Sequence, residues 1–400
     1  MPQCEFNTQA KGANLKKDTI IFVGLDTHKK FHHVAYIEDG RGKTPVDYGK
    51  ITGSKIALTK LIRKLQSKYP NATLHFVYEA GPCGFWIYRH ITSLGHCCYV
   101  VCPSKIPRAS GDRVKTDRLD ALKLVKLLKS EDLTHIYVPE EEDEVVRDLS
   151  RLREEAMLDL NDARKRLKAF LLRNNITYDD TANWSAKHLQ YLSGLTLPHP
   201  TQQIVLREYM DVISERTQRL ERMDNELTIT LQKWRFYPVI QAMQALRAVR
   251  LLVAGGVVAE IGDLKRFDHP GKLMAYPGLV PSQHSSGGKR RVGAITKAGN
   301  KRVRRLLTEG AHSYRYPANI SREMQVRLEG LSKEVLDIGW KAQLRLCRRY
   351  KRLYAKGKHR NLVVTAIARE MASYMWAIAQ TVELEPVDPK TRLARVPAYQ

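Results

Sequence analysis

Four carboxylates in this 400-residue chain have the type and position for phosphodiester chemistry. Asp26 ends the apolar run TIIFVGLD (19–26), and Glu79 closes the strand-like part of TLHFVYEAG (73–81). Asp117 and Asp120 lie three apart in KTDRLDALKLVKLLKS (115–130), which places them on one helix face. Acids are scarce here: between Asp39 and Asp117 the only ones are Asp47, Glu79 and Asp112. Carboxylates leaving neighbouring strand ends can share Mg²⁺, a hard ion that prefers oxygen ligands. Two such ions ~3.5–4 Å apart can activate an attacking oxygen and stabilise a leaving one. Each acid alone has a plainer reading, as a turn former after a strand or as a helix cap. Their joint placement is what points to a metal site.

The charge supplies the substrate class. Sixty-seven Lys and Arg against 42 Asp and Glu give a net +25, with 43% hydrophobic residues to build cores. A folded protein with that excess is expected to meet a polyanion, most often nucleic acid. The longest apolar stretch, around Leu251 to Ala259, contains Gly255 and Gly256 and falls short of the ~20 residues that span a bilayer. The first twenty residues show no signal-peptide pattern. The six cysteines are neither dense nor at zinc spacing. A reduced, cytoplasmic, nucleoid-associated protein without a membrane partner is expected.

The elements that must position the acids follow from periodicity. Residues 1–18 read as a loose polar arm. From Thr19 the order is β-β-β-α-β-α-β-α: two strands with a turn at Asp39-Gly40, a third near Pro45 to Ile51, and a helix at 54–69 carrying Ile56, Leu58, Leu61, Ile62 and Leu65. Then come the strand ending at Glu79, a helix at 85–95, the strand CCYVVC (97–102) and the helix bearing Asp117 and Asp120. This is a mixed sheet flanked by helices, an α/β domain over 19–139. Beyond it, residues 140–236 read as two long amphipathic helices around an irregular stretch from Trp184 to Pro200. Val145, Leu149, Leu152, Ala156, Leu160, Ala163, Leu167 and Leu171 form the stripe of the first helix. An antiparallel coiled coil or dimerisation arm is expected.

Residues 237–380 read as a mainly helical third domain, and 381–400 as a tail. Ser285 and Ser286 before Gly287-Gly288 form a flexible polar turn. Eight bases then follow without an acid: Lys289, Arg290, Arg291, Lys297, Lys301, Arg302, Arg304 and Arg305. A second acid-free basic run spans Lys341 to Arg360 and includes Arg348 and Arg349.

The segments GLDTHKK (24–30), YEAGPCGFW (78–86) and VKTDRLDALKL (114–124) resemble the Asp-Glu-Asp-Asp catalytic domain of the insertion-sequence 110 transposase family. That domain is similar to RuvC-type junction resolvases of ribonuclease H fold. The segment 275–307 resembles the family's C-terminal transposase domain, with its Gly-Leu-x-Pro, Ser-Gly and Lys-x-Gly-Asn elements. The resemblance runs in family order from about residue 20 to 350.

It implies a recombinase that cuts and rejoins donor and target DNA to move an insertion element. Asp26, Glu79, Asp117 and Asp120 would hold Mg²⁺. Ser286, or Ser285 as runner-up, would be a nucleophile forming a phosphoserine link to DNA. A structured non-coding bridge RNA would guide it, and protomers would assemble as dimers and tetramers. The family often has a helix-hairpin-helix-like element near 245–262; here Ala248-Val249-Arg250 fills its turn, without glycine. The rival expectations are a Mg²⁺-dependent, structure-selective nuclease using water alone, and a non-catalytic nucleic-acid-binding protein.

Overall fold

The computed structural model describes residues 19–107, 116–286 and 289–384, with side chains throughout except at His284, Ser286, Lys289 and Arg290. The expected arm at 1–18, most of the tail, and the Gly287-Gly288 pair lie outside the described residues. The chain divides into two compact units, 1–138 and 139–400.

The first unit runs β1 (Ile20–Thr27), β2 (Phe31–Glu38), β3 (Val46–Thr52), α1 (Lys55–Lys68), β4 (Thr73–Glu79), α2 (Trp86–Ser93), β5 (Cys97–Val101) and α3 (Asp117–Lys129). Its five strands are ordered β3-β2-β1-β4-β5. β1 pairs antiparallel with β2 and parallel with β4, and β4 pairs parallel with β5. Central strands of such a sheet are covered on both faces and so read as nearly continuous apolar runs. Alternation then sorts the residues of β1 and β4. Ile21, Val23, Leu25, Leu74, Phe76 and Tyr78 pack with Leu58, Leu61, Ile62 and Leu65 of α1 and with Ile87 and Ile91 of α2. Phe22 and Val77 face the other way, onto Ala121, Leu124, Val125 and Leu128 of α3. Ile56, expected in the α1 stripe, is 70% exposed, because the sheet-facing arc is narrower than the apolar count. Ser54 caps α1 through the amide of Ala57, and Thr116 caps α3 through that of Leu119.

The second unit contains α4 (Glu141–Arg173), α5 (Ala186–Gly194), α6 (Pro200–Lys233), α7 (Tyr237–Met243), α8 (Leu251–Ile261), α9 (Pro270–Ala275), β6 (Pro281–Ser286), β7 (Lys289–Ile295), α10 (Lys301–Ala311), α11 (Arg322–Leu328), α12 (Lys333–Ala355) and α13 (Arg360–Thr381). Helices α4 and α6 pack antiparallel within the chain. Arg153 meets Asp224 at 2.6 Å, Arg219 meets Asp159 at 2.7 Å, and Gln202 donates to Asn174 at 2.8 Å. The stripe of α4 starts one residue later than the sequence spacing implies: Val146 is buried while Val145 is 62% exposed. Leu152 is also exposed. The cause lies in Asp143, buried at the start of α4, where it accepts from the Trp234 indole at 3.0 Å and pairs with Arg235.

The stretch 184–200 is not wholly irregular. Ser185 caps α5, whose buried His188 accepts from the amide of Trp184 at 3.0 Å. Gly255 and Gly256 lie buried inside α8 rather than breaking it. Val146, Leu227 and Leu231 of the long helices share one core with α7, α8, α10, α12 and α13, so packing is continuous across residue 236. Helix α13 is long and apolar enough to cross a membrane by length and composition, yet its Val363, Val364, Ile367, Met371, Met375 and Ile378 lie in this core.

Candidate functional site

The sheet brings the N-terminal acids together. Leu25 and Tyr78 are paired across the parallel β1–β4 ladder, so Asp26 and Glu79 each stand one residue beyond, on adjacent strands. Pleat alternation turns both toward the α3 face, the side that holds Phe22 and Val77. Asp117 and Asp120 occupy the first turn of α3 on that side. Asp26, Asp117 and His28 form a group whose ligand atoms lie within 4.8 Å of one another. Glu79 and Asp120, both half-buried, are not in that group, although the charge of Asp120 acts on Asp26.

His28 is the residue that sequence reasoning missed. It follows Asp26 by two positions, at the end of β1, and its ring packs on Phe31 at 4.9 Å. Nε2 lies 3.1 Å from Asp26 Oδ2 and 3.4 Å from Asp117 Oδ1. Lys50 of β3 adds an ammonium 3.5 Å from Asp117 Oδ2 and 4.2 Å from the centre of the Phe31 ring. The only sequence signal for His28 was its place inside GLDTHKK; nothing local ties Lys50 to the acids.

Electrostatics distinguish the carboxylates. Burial pushes Asp26 above its ordinary value; His28 opposes this, and the negative charges of Asp117 and Asp120 add to it. For Asp117 desolvation is the largest single influence and acts upward, but His28 and the charge and hydrogen bond of Lys50 together outweigh it and hold the carboxyl below its ordinary value. Oxygen donors crowded enough to repel one another, bridged by a ring nitrogen and an ammonium, fit a hard divalent cation.

The serine motif is not a loose turn. Residues Pro281–Ser286 and Lys289–Ile295 form an antiparallel ladder in which Ser285 opposes Arg290 and Ser286 opposes Lys289. Ser285 is exposed, and its Oγ accepts from Gln283 at 2.8 Å. The side chain of Ser286 lies outside the described residues. At the base of the hairpin Thr296 donates to the Val280 carbonyl at 2.9 Å and Lys297 to the Gly278 carbonyl at 3.1 Å. Gly299, at φ 99°, sits so close to Tyr276 that a Cβ would stand 2.0 Å from the Tyr276 carbonyl oxygen. The Gly-Leu-x-Pro and Lys-x-Gly-Asn elements thus clamp the hairpin between them.

The bases expected to hold nucleic acid fall into two groups. Arg291, Lys297, Lys301 and Arg348 are exposed. Arg302, Arg304 and Arg305 have partners inside the protein. Arg302 pairs with Glu154, Arg305 lies 2.9 Å from Glu154 and 3.0 Å from Glu309, and Arg304 donates to the Pro277 and Lys297 carbonyls. Arg349 lies 3.1 Å from Glu370. The side chains of Lys289 and Arg290 lie outside the described residues. Around α10 a buried acid organises the fold: Glu260, only 4% exposed at its side chain, receives Arg151 at 2.7 Å and Asn300 at 2.7 Å.

A five-stranded sheet of this order and polarity, with acids at the ends of β1 and β4 and on the following helix, defines a RuvC-like domain of the ribonuclease H class. Comparison with known proteins places it further. A family described as Transposase, of the DEDD type, matches residues 23–175, and the Transposase IS116/IS110/IS902 family matches residues 241–324. A transposase of Sinorhizobium fredii, y4qE, is 41% identical over 359 residues, covering 90% of this chain and 88% of its own. The transposase for insertion sequence element IS1533 of Leptospira borgpetersenii is 30% identical over 345 residues, covering 84% and 98%. A family 20 transposase of Pseudomonas aeruginosa is 25% identical over 304 residues, covering 74% and 81%. The chain belongs to the IS110 family of transposases, enzymes whose substrate is DNA.

Proposed function

We propose that this transposase moves its element by a serine-based strand exchange assisted by Mg²⁺ at the four N-terminal acids. The observation that carries the metal half is the convergence of Asp26, Glu79 and the first turn of α3 on one face of the sheet. Asp26, Glu79, Asp117 and Asp120 would hold one ion or a pair. Mg²⁺ bound there would supply Lewis-acid stabilisation of the charge that builds on a phosphodiester. The chain's own groups do the rest. In the free protein His28 bridges Asp26 and Asp117, and Lys50 pairs with Asp117 and offers an ammonium toward a DNA backbone.

Ser286 is proposed as nucleophile, with Ser285 one position away as the alternative. Its Oγ forms a bond to phosphorus as the bond from phosphorus to a deoxyribose oxygen breaks, and the serine proton passes to a base. The freed DNA hydroxyl of the exchanged strand later attacks the phosphoserine, restoring the serine and rejoining DNA. The hairpin supports this reading by placing Ser286 opposite Lys289, amid Arg290 and Arg291, whose charges suit neighbouring phosphates. Exposed Lys297 and Lys301 follow the hairpin with further positive charge, Arg302, Arg304 and Arg305 are held by partners inside the protein, and Arg348 and Arg349 belong to a separate basic run on α12. Guidance by a bridge RNA from the element rests on the family resemblance and on the net +25, and assembly as dimers and tetramers on the resemblance alone.

The test is co-purification of the full chain from cells carrying the element, sequencing of bound RNA, and incubation with element-junction and target DNA in Mg²⁺. A discrete RNA and a protein–DNA adduct absent from Ser286→Ala bear the reading out. Cleavage that survives in Ser286→Ala and Ser285→Ala but is lost in Asp26→Ala makes the enzyme a water-using nuclease. Nucleic-acid binding without a reaction in any of these proteins would sink both.

A further inference from the structure

In the second unit, α12 and α13 border a groove of about 450 Å³ lined by Lys341, Leu344, Arg345, Arg348, Arg349, Arg352 and Tyr374. Lys341, Arg345, Arg348 and Arg352 recur at steps of four, three and four, so they form one stripe along α12. At 1.5 Å per residue the stripe is about 16 Å long. The groove's cations are not equivalent. Glu370 of α13, 15% exposed at its side chain, takes two of them: it pairs with Arg345 and lies 3.1 Å from Arg349. Among the described residues no carboxylate pairs with Lys341, Arg348 or Arg352.

We propose that this groove is a docking surface for the phosphate backbone of duplex DNA, held by Lys341, Arg348 and Arg352 and trimmed by Glu370. The inference rests on the DNA-handling reading above and adds a surface and a tuning residue to it. Charge complementarity points to a polyanion, and the lining chooses the kind. Single strands are gripped by successive aromatic platforms under their bases. Here a row of cations with one aromatic residue, Tyr374, suits a duplex that shows phosphates and keeps its bases stacked inside. Glu370 fixes the Arg345 and Arg349 guanidinium groups in the groove wall while cancelling part of its field. It sets how tightly the protein holds DNA of any sequence, which matters for a protein that must also let its products go.

Binding of the full chain to a short labelled duplex DNA of random sequence, across a salt series, tests this. Lys341→Ala/Arg348→Ala/Arg352→Ala is expected to lower the slope of log K against log salt by about 3 and to weaken binding at physiological salt by about tenfold or more. Glu370→Gln is expected to tighten binding and steepen the slope by about 1 to 2, a gain that misfolding cannot produce. Unchanged slopes in both variants overturn the inference, as do effects that appear with a duplex RNA probe and not with DNA. The junction-DNA cleavage assay, with Asp26→Ala as its blank, separates the failures. Unchanged slopes with cleavage intact remove the groove alone, whereas loss of all nucleic-acid chemistry removes the function on which it rests.

Discussion

Gly24 of β1 lies against α3 so closely that a Cβ there would stand 2.6 Å from the carbonyl oxygen of Ala121 and 3.0 Å from the amide nitrogen of Val125. The contact is backbone to backbone, two residues before Asp26 and one after Asp120. It sets the height at which the first turn of α3 stands over the end of β1.

Gly24→Ala is therefore expected to push α3 off the sheet. Overpacking of this kind costs about 1–3 kcal/mol, read as a lower Tm. Thermal melts give the stability loss. A drop in DNA cleavage larger than the loss of folded protein would show that the spacing of the acids, and not folding alone, depends on this glycine. Full activity at temperatures where the variant stays folded would refute that.

Mg²⁺ is expected to stabilise the wild type, because an ion held by the folded acids has no comparable site in the unfolded chain. At a hundredfold excess over Kd the gain is about 2.7 kcal/mol. Asp26→Asn and Asp117→Asn should lose most of this thermal shift, and chelation should reverse it in the wild type. An equal shift in all three proteins would place the ion elsewhere.

Glu260 predicts an acid limb. Burial raises its pKa, but hydrogen bonds from Arg151 and Asn300 and the charges of Arg151 and Arg147 prevail and hold it below its ordinary value of 4.5. A depressed carboxyl contributes stability above its unfolded pKa and loses it as pH falls through the folded one. Glu260→Gln should thus cost about 2–3 kcal/mol at neutral pH, less than a wholly buried pair because Arg151 is 40% exposed. Denaturant titrations should show the gap between the two proteins narrowing below pH 4.5. A constant gap would assign the loss to packing.

Ala248 adopts φ 64°, in the turn between α7 and α8 where a helix-hairpin-helix element would carry glycine. A left-handed conformation costs a non-glycine residue about 1–2 kcal/mol, partly offset by the greater freedom that glycine has when unfolded. Ala248→Gly is expected to stabilise the protein by about 0.5–1 kcal/mol, read as a higher denaturant midpoint at unchanged slope. A lower midpoint would mean that the methyl group's packing near Gly310 outweighs the strain.

Much of this molecule was legible before any fold was in hand. The strand ending at Asp26, the strand ending at Glu79 and the helix opening with Asp117 and Asp120 announce themselves by apolar periodicity that stops at an acid. Periodicity is a local property, and each of these elements is long enough to show it. The serine hairpin was not legible: PSQHSSGGKRRVGAI carries few apolar residues, so no alternation marks β6 and β7. Its strands are held by the ladder and by the Tyr276–Gly299 approach at its base, backbone contacts that leave no apolar pattern in the sequence.

Charge shows the same division. A count of Lys and Arg told that the partner is a polyanion, because net charge is a sum over residues and needs no coordinates. Which bases can reach that partner is a matter of neighbours. Arg302 and Arg305 are bound by Glu154, which precedes them by about 150 positions, while Arg348 and Arg352 stand open on α12. Likewise the chain order set Asp26 and Glu79 at strand ends, but only the parallel pairing of β1 with β4 made them neighbours. Only the fold of β3 onto β2 carried Lys50 to Asp117. The sequence by itself determined the strands and helices that carry the acids, the two long helices, the family and the polyanion. The tertiary structure decided the company each charge keeps, since Coulomb and hydrogen-bond energies depend on distances of a few ångströms that sequence spacing does not contain.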